Sequence, residues 1–87
     1  MTDFEDAVVA VLRRLRWGEV VTYGEIATEA GHAGAARAVG NLLVSGDGLP
    51  WWRVVTATGR LVPGHEVHQA ALLRSEGVEV RNGRVRR

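Results

Sequence analysis

A small α+β domain, mainly helical, is what these 87 residues predict. Three observations carry that expectation. Two capping boxes, Thr2-x-x-Glu5 and Thr22-x-x-Glu25, each stand at the head of a stretch with helical apolar spacing. Two short helical segments meet across His32-Ala33-Gly34, a helix-turn-helix arrangement. Residues Val78 to Arg86 alternate apolar and polar around Asn82-Gly83, the strongest short hairpin signal. Together they describe one winged helix-turn-helix-like domain with short β-hairpins, spanning residues 1–87, because two independent cores need more chain.

Each element has its own warrant. In the first helix Phe4, Val8, Val11, Leu12 and Leu15 share a face, while Arg13, Arg14 and Arg16 suit the negative end of its dipole. Trp17-Gly18 stops it, and Glu19-Val20-Val21 is an extended link. The second helix runs from Tyr23 to Ala30, with Gly31 as its C′ residue. The third runs from about Gly34 to Val44. It turns Ala36, Val39, Leu42 and Leu43 inward and leaves Arg37 and Asn41 together one turn apart. Strands are expected over Trp52 to Thr56 and Arg60 to Val62, around Thr58-Gly59. A last helix spans Glu66 to Ser75 and ends at Gly77.

Composition narrows the chemistry. With no cysteine there is no disulfide, thiolate metal site or cysteine nucleophile. The start is acidic and no run of 18 apolar residues occurs, which reads as a soluble, intracellular chain without a membrane span. The net charge of +1 conceals a division, with six acids against three Arg in residues 1–30 and eight Arg against four acids thereafter. Every basic residue is Arg, the side chain best suited to phosphate forks and base stacking. A basic second half permits a nucleic-acid partner.

No catalytic set emerges. Ser45 and Ser75 lie in no nucleophile elbow, and no phosphate-cradling glycine loop is present. His65-x-x-His68 has metal-ligand spacing but no third ligand, so it reads as exposed or helix-capping histidine, and neither metal nor cofactor is expected. The bare face of Gly34-Ala35-Ala36-Arg37-Ala38-Val39-Gly40 suits close approach to a groove and helix packing equally. Tyr23 reads as a half-buried ring with a wet hydroxyl. Trp51 and Trp52 point to opposite faces if their segment is extended, which puts one indole in a surface cleft. If Pro50-Trp51 is a turn, both rings pack.

Four motifs occur in order: Thr22-Tyr23-Gly24-Glu25-Ile26-Ala27, Ala35-Ala36-Arg37-Ala38-Val39-Gly40, Pro50-Trp51-Trp52-Arg53-Val54-Val55 and Leu72-Leu73-Arg74-Ser75-Glu76-Gly77. The set, covering about residues 4–77, resembles the C-terminal domain of O6-alkylguanine-DNA alkyltransferases, whose active motif is Pro-Cys-His-Arg-Val. It is most similar to the alkyltransferase-like proteins, non-catalytic relatives with Trp at the cysteine position. The resemblance implies that Tyr23 presses on the phosphate of the target nucleotide and that Arg37 fills the gap left in the stack. It puts Trp51 at the acceptor-cysteine position, with Arg53 structural. Glu76 stands where an acid orients the active-site His, but Trp52 replaces that His, which leaves Glu76 to pair with an Arg or cap a turn. Two further departures bear on pocket shape: Gly46-Asp47-Gly48 stands in place of Asn-Pro, and Val62-Pro63-Gly64-His65 lacks the Tyr-Ser or basic residue that closes the family pocket.

The expected DNA-facing set is therefore Thr22, Tyr23, Gly34, Ala35, Arg37 and Asn41, and the expected lesion pocket is Tyr23, Trp51 and Trp52. The implied function is non-enzymatic recognition of O6-alkylguanine in duplex DNA by nucleotide flipping, signalling to nucleotide-excision-repair proteins. The implied form is a monomer, cytoplasmic and associated with the nucleoid when bound to DNA. Two other readings remain open. A winged-helix regulator would need base-reading polar side chains, which Ala35, Ala36, Ala38 and Val39 do not supply. A protein-interaction module would use Trp51 and Trp52 as anchors.

Overall fold

The computed structural model describes residues 2–86. Four helices, α1 (Asp3–Arg13), α2 (Tyr23–Glu29), α3 (Ala36–Ser45) and α4 (Glu66–Ser75), are joined by two small two-stranded ladders. Strand β1 (Val21–Thr22) pairs in parallel with β2 (Val54–Val55), and β3 (Val80–Arg81) pairs antiparallel with β4 (Arg84–Val85). A 3₁₀ turn, Trp51–Arg53, leads directly into β2. No helix among the described residues is long and apolar enough to cross a membrane.

Both capping boxes form. The Thr2 and Thr22 hydroxyls accept from the N–H groups of Glu5 and Glu25, whose carboxylates reach back to the threonine N–H groups. The α4 boundaries and the Asn82-Gly83 turn also match expectation, with φ of 52° and 72° at the two turn residues. Helix α1 ends earlier than its arginines suggested. Leu15 donates to Leu12 O, Arg16 donates to the Glu19 carboxylate, and only Arg13 lies in the last helical turn. Helix α3 starts at Ala36 rather than Gly34, because Gly34 sits at φ +89°, outside helical backbone.

The expected hairpin over Trp52–Val62 does not form. Pro50 O accepts from Arg53 N–H and curls residues 51–53 into the 3₁₀ turn. Val54 and Val55 then pair with Val21 and Thr22 instead of with the following segment. Arg60 makes only an isolated bridge, to Arg84. Two successive residues of β2, Val54 and Val55, are both fully buried because the strand runs between two cores. One core gathers Val8, Leu12, Ile26, Ala27, Val39 and Leu49 around Val54; the other gathers Leu61, Ala70, Leu73, Val80 and Val85 around Val55.

Gln69 clamps the second core to the turn. Its side chain, wholly buried, donates to Trp52 O and Val54 O and accepts from Val62 N–H. All three partners are main-chain groups, and the bond to Val54 O is fully buried.

Gly59 and Gly48 separate two causes of glycine dependence. Both have positive φ, but a Cβ at Gly59 would stand 2.5 Å from the Val85 carbonyl oxygen, whereas nothing lies within 4 Å at Gly48. Gly48→Ala should cost about 1 kcal/mol, the left-handed backbone penalty alone, and Gly59→Ala roughly 2–4 kcal/mol in urea denaturation. Equal losses would show that the contact with Val85 is slack.

Candidate nucleic-acid interface

The expected DNA-facing residues on and around α2 and α3 are unevenly exposed. Arg37 and Asn41 are exposed one turn apart on α3, and Arg37 has no hydrogen bond or ion pair among the described residues. Gly34 is exposed and Ala35, the N-cap of α3, is half-buried. Thr22 requires a correction. It is only 7% exposed and its hydroxyl is committed to Glu25, so it holds the start of α2 and does not face a ligand. Its neighbour Tyr23 lies half-buried, as expected, with the ring along α3. It passes beside Gly40, where even a Cβ would make only ordinary van der Waals contact with the ring, at 3.7 Å. Burial pushes the Tyr23 phenol above its usual range and keeps it protonated.

A cleft of about 440 Å³ opens between Tyr23 and Gly40 on one side and Trp51, His65 and His68 on the other, with Gly46, Asp47 and Leu49 along the loop between them. That volume lies within the usual range of ligand sites. A larger hollow of about 600 Å³ lies between α1 and α2, but Glu19 and Glu29 line it and would repel phosphate. The Tyr23–Trp51 cleft is therefore the candidate site.

Trp51 packs among three other rings. Its ring centroid lies 6.4 Å from Trp52, 6.0 Å from His65 and 5.7 Å from His68, each pair edge-to-face. The turn alternative for Pro50-Trp51 is thus the one realised, and both indoles pack. Trp52, expected in the pocket, goes elsewhere: its ring packs on the second core and its indole N–H donates to Glu76 at 2.8 Å. The sequence signal missed was His65-x-x-His68. At i, i+3 in the first turn of α4 these imidazoles share a face, and that face meets Trp51.

Glu76 gathers the donors behind the turn. Arg53 Nε and Nη2 fork onto its two oxygens at 2.9 and 2.8 Å, Gly18 N–H donates at 2.7 Å, and Trp52 Nε1 completes the set. Arg53 Nη1 also donates to Leu15 O, which ties the turn to the end of α1. The carboxylate is buried, and the Arg53 hydrogen bonds, followed by those of Gly18 and Trp52, lower its pKa to about 2 against burial. The expectation that Glu76 pairs with an Arg is met.

The chain matches, over residues 3–78, the family described as "6-O-methylguanine DNA methyltransferase, DNA binding domain". It belongs to that family. A "DNA base-flipping protein" of Vibrio parahaemolyticus is 40% identical over 85 residues, covering 92% of this chain and 85% of the relative. The crystal structure of S. pombe Atl1 in complex with damaged DNA containing O6-carboxymethylguanine matches with a TM-score of 0.84 at 32% identity, covering 93% of this chain and 82% of that one. A methylated-DNA–protein-cysteine methyltransferase of Mycobacterium tuberculosis is 43% identical over 65 residues, which are 69% of this chain but 38% of the enzyme. The fold is that of the Atl1 and alkyltransferase structures, α+β and mainly helical.

The Glu76 network sets a pH dependence. Its folded pKa lies below the ordinary 4.5, so its stabilisation is complete above that value and is lost as pH falls toward about 2. Glu76→Gln should be less stable at neutral pH, with a flatter acid-unfolding profile between roughly pH 5 and pH 2. Arg53→Met leaves the buried carboxylate unpaired and should cost about 3 kcal/mol. A wild-type-like acid profile in Glu76→Gln would assign the acid sensitivity to other groups.

Proposed function

We propose that this protein recognises O6-alkylguanine in duplex DNA without repairing it. Helix α3 enters the minor groove, Arg37 takes the place of the displaced base, and Tyr23 bears on the phosphate of the target nucleotide. The rotated guanine enters the cleft against Trp51. The observation that carries this reading is the cleft itself, lined by a protonated Tyr23 and by Trp51, together with an exposed, unpaired Arg37 on α3. The kinship with base-flipping proteins supports it.

The energies are compatible. Flipping costs a few kcal/mol, less for a lesion already poorly paired, and stacking on an aromatic ring returns roughly 1–3 kcal/mol. Trp51 stands at the position of the acceptor cysteine, and the chain has no cysteine anywhere to take an alkyl group. The bound, distorted site is then presented by a monomer to nucleotide-excision-repair proteins.

Incubation with duplex labelled on an O6-methyl group should leave all label on the DNA. Covalent label on the protein would contradict the reading. Arg37→Ala should weaken binding to lesion duplex by about 1–3 kcal/mol and erode the preference over undamaged duplex, because an unstacked gap remains. If only the salt slope falls, by about one, Arg37 is a simple phosphate contact.

Restoring chemistry requires two changes. In Trp51→Cys the thiol has no imidazole oriented by Glu76, whose partner there is the Trp52 indole, and with an ordinary pKa of about 8.5 it is only a few per cent thiolate at neutral pH. Trp51→Cys with Trp52→His puts an imidazole where the Trp52 N–H now meets Glu76. Slow methyl transfer is expected from the double variant alone. Equal transfer by the single variant would show that Trp52 does not stand at the relay position.

A further inference from the structure

The C-terminal hairpin takes no part in the cleft, yet it is built to hold charge in a line. Asn82-Gly83 sets the register that puts Arg81 opposite Arg84, and the isolated bridge puts Arg60 opposite Arg84 on its other side. Residues directly opposite in antiparallel pairing share one face of the ribbon. Burial agrees: Gly59, Leu61, Val80 and Val85 are buried, and Arg60, Arg81 and Arg84 between them are exposed.

The row is rigid. Val85 N–H donates to Gly59 O at 2.8 Å, Leu61 N–H donates to Gly83 O at 3.1 Å, and Arg60 N–H donates to Thr56 Oγ1 at 3.0 Å. These bonds and the tight seat of Gly59 against Val85 fix the turn to the hairpin, so the three arginines are presented without prior ordering of the backbone.

Like charges directly opposite across strands repel. Glu79 answers one of them, at 2.8 Å from Arg81, in a pair that is exposed on both sides. Arg60 and Arg84 have no side-chain hydrogen bond or ion pair among the described residues. Strands β3 and β4, with the chain at Arg60 bridged to β4, span about 10 Å, over which one strand of duplex DNA carries about three phosphates along the helix axis. Guanidinium forks suit those phosphates.

We propose that Arg60, Arg84 and Arg81 form a second DNA-contacting surface, which binds the phosphate backbone outside the segment held by α3. The inference rests on the DNA-binding reading above. This surface supplies affinity and no lesion preference, because phosphate contacts carry no base information.

The test measures binding to a duplex extending well past α3, with and without O6-methylguanine, across a salt series. The variant Arg60→Gln/Arg81→Gln/Arg84→Gln, shown to melt like wild type, should bind both duplexes at least roughly tenfold more weakly, with a salt slope shallower by about two to three. Its ratio of lesion to undamaged affinity should be unchanged. Glu79→Gln frees Arg81 and should tighten binding to both duplexes. Wild-type affinity and salt slope in the triple variant overturn the proposal and leave the row to a protein partner. Failure of the wild type to bind either duplex instead removes the reading on which the proposal rests.

Discussion

The Glu76 carboxylate accepts four hydrogen bonds from two separate stretches of chain, Gly18 and Trp52-Arg53, and the shape of the candidate site depends on that convergence. A buried carboxylate is tolerable only when its charge is matched, and the Arg53 fork matches it. With Arg53 held between Glu76 and Leu15 O, and Trp52 held by its N–H, residues 51–53 cannot continue as a strand. They curl, and the curl leaves Trp51 on the cleft side. Gln69 secures the same turn from the other core through Trp52 O and Val54 O. The guanidinium of Arg53 also lies 5.2 Å from the centre of the Trp52 ring, which further restrains that indole.

In this chain the carboxylate has every nearby donor engaged, and the indole that meets it has no basic nitrogen. What the site retains is shape and aromatic surface. Trp51 makes edge-to-face contacts with Trp52, His65 and His68, and the two histidines line the cleft with it. Tyr23 lies half-buried along α3, beside Gly40.

What was legible in the sequence was what is decided locally. The capping boxes at Thr2 and Thr22, the span of α4 and the Asn82-Gly83 turn each depend on residues a few positions apart. The parallel β1–β2 ladder is two residues long and has no period to read, and its partners are 33 positions apart. The buried Gln69, whose three acceptor and donor partners lie 7 to 17 positions away, leaves no local signature either. Trp52 was placed in the pocket because its destination depends on Glu76, 24 positions on. Thr22, expected among the DNA-facing residues, is buried instead, because its hydroxyl caps α2.

The central claim is that a lesion is recognised against Trp51 without chemistry. Intrinsic tryptophan fluorescence reads this directly, in a titration with two duplexes of one sequence, one carrying O6-methylguanine and one unmodified, with Trp51→Phe as reference. The account predicts tighter binding to the damaged duplex, with quenching that largely disappears in Trp51→Phe and reverses fully when the DNA is competed away. Equal affinity for the two duplexes, or the same quenching in wild type and Trp51→Phe, would contradict it.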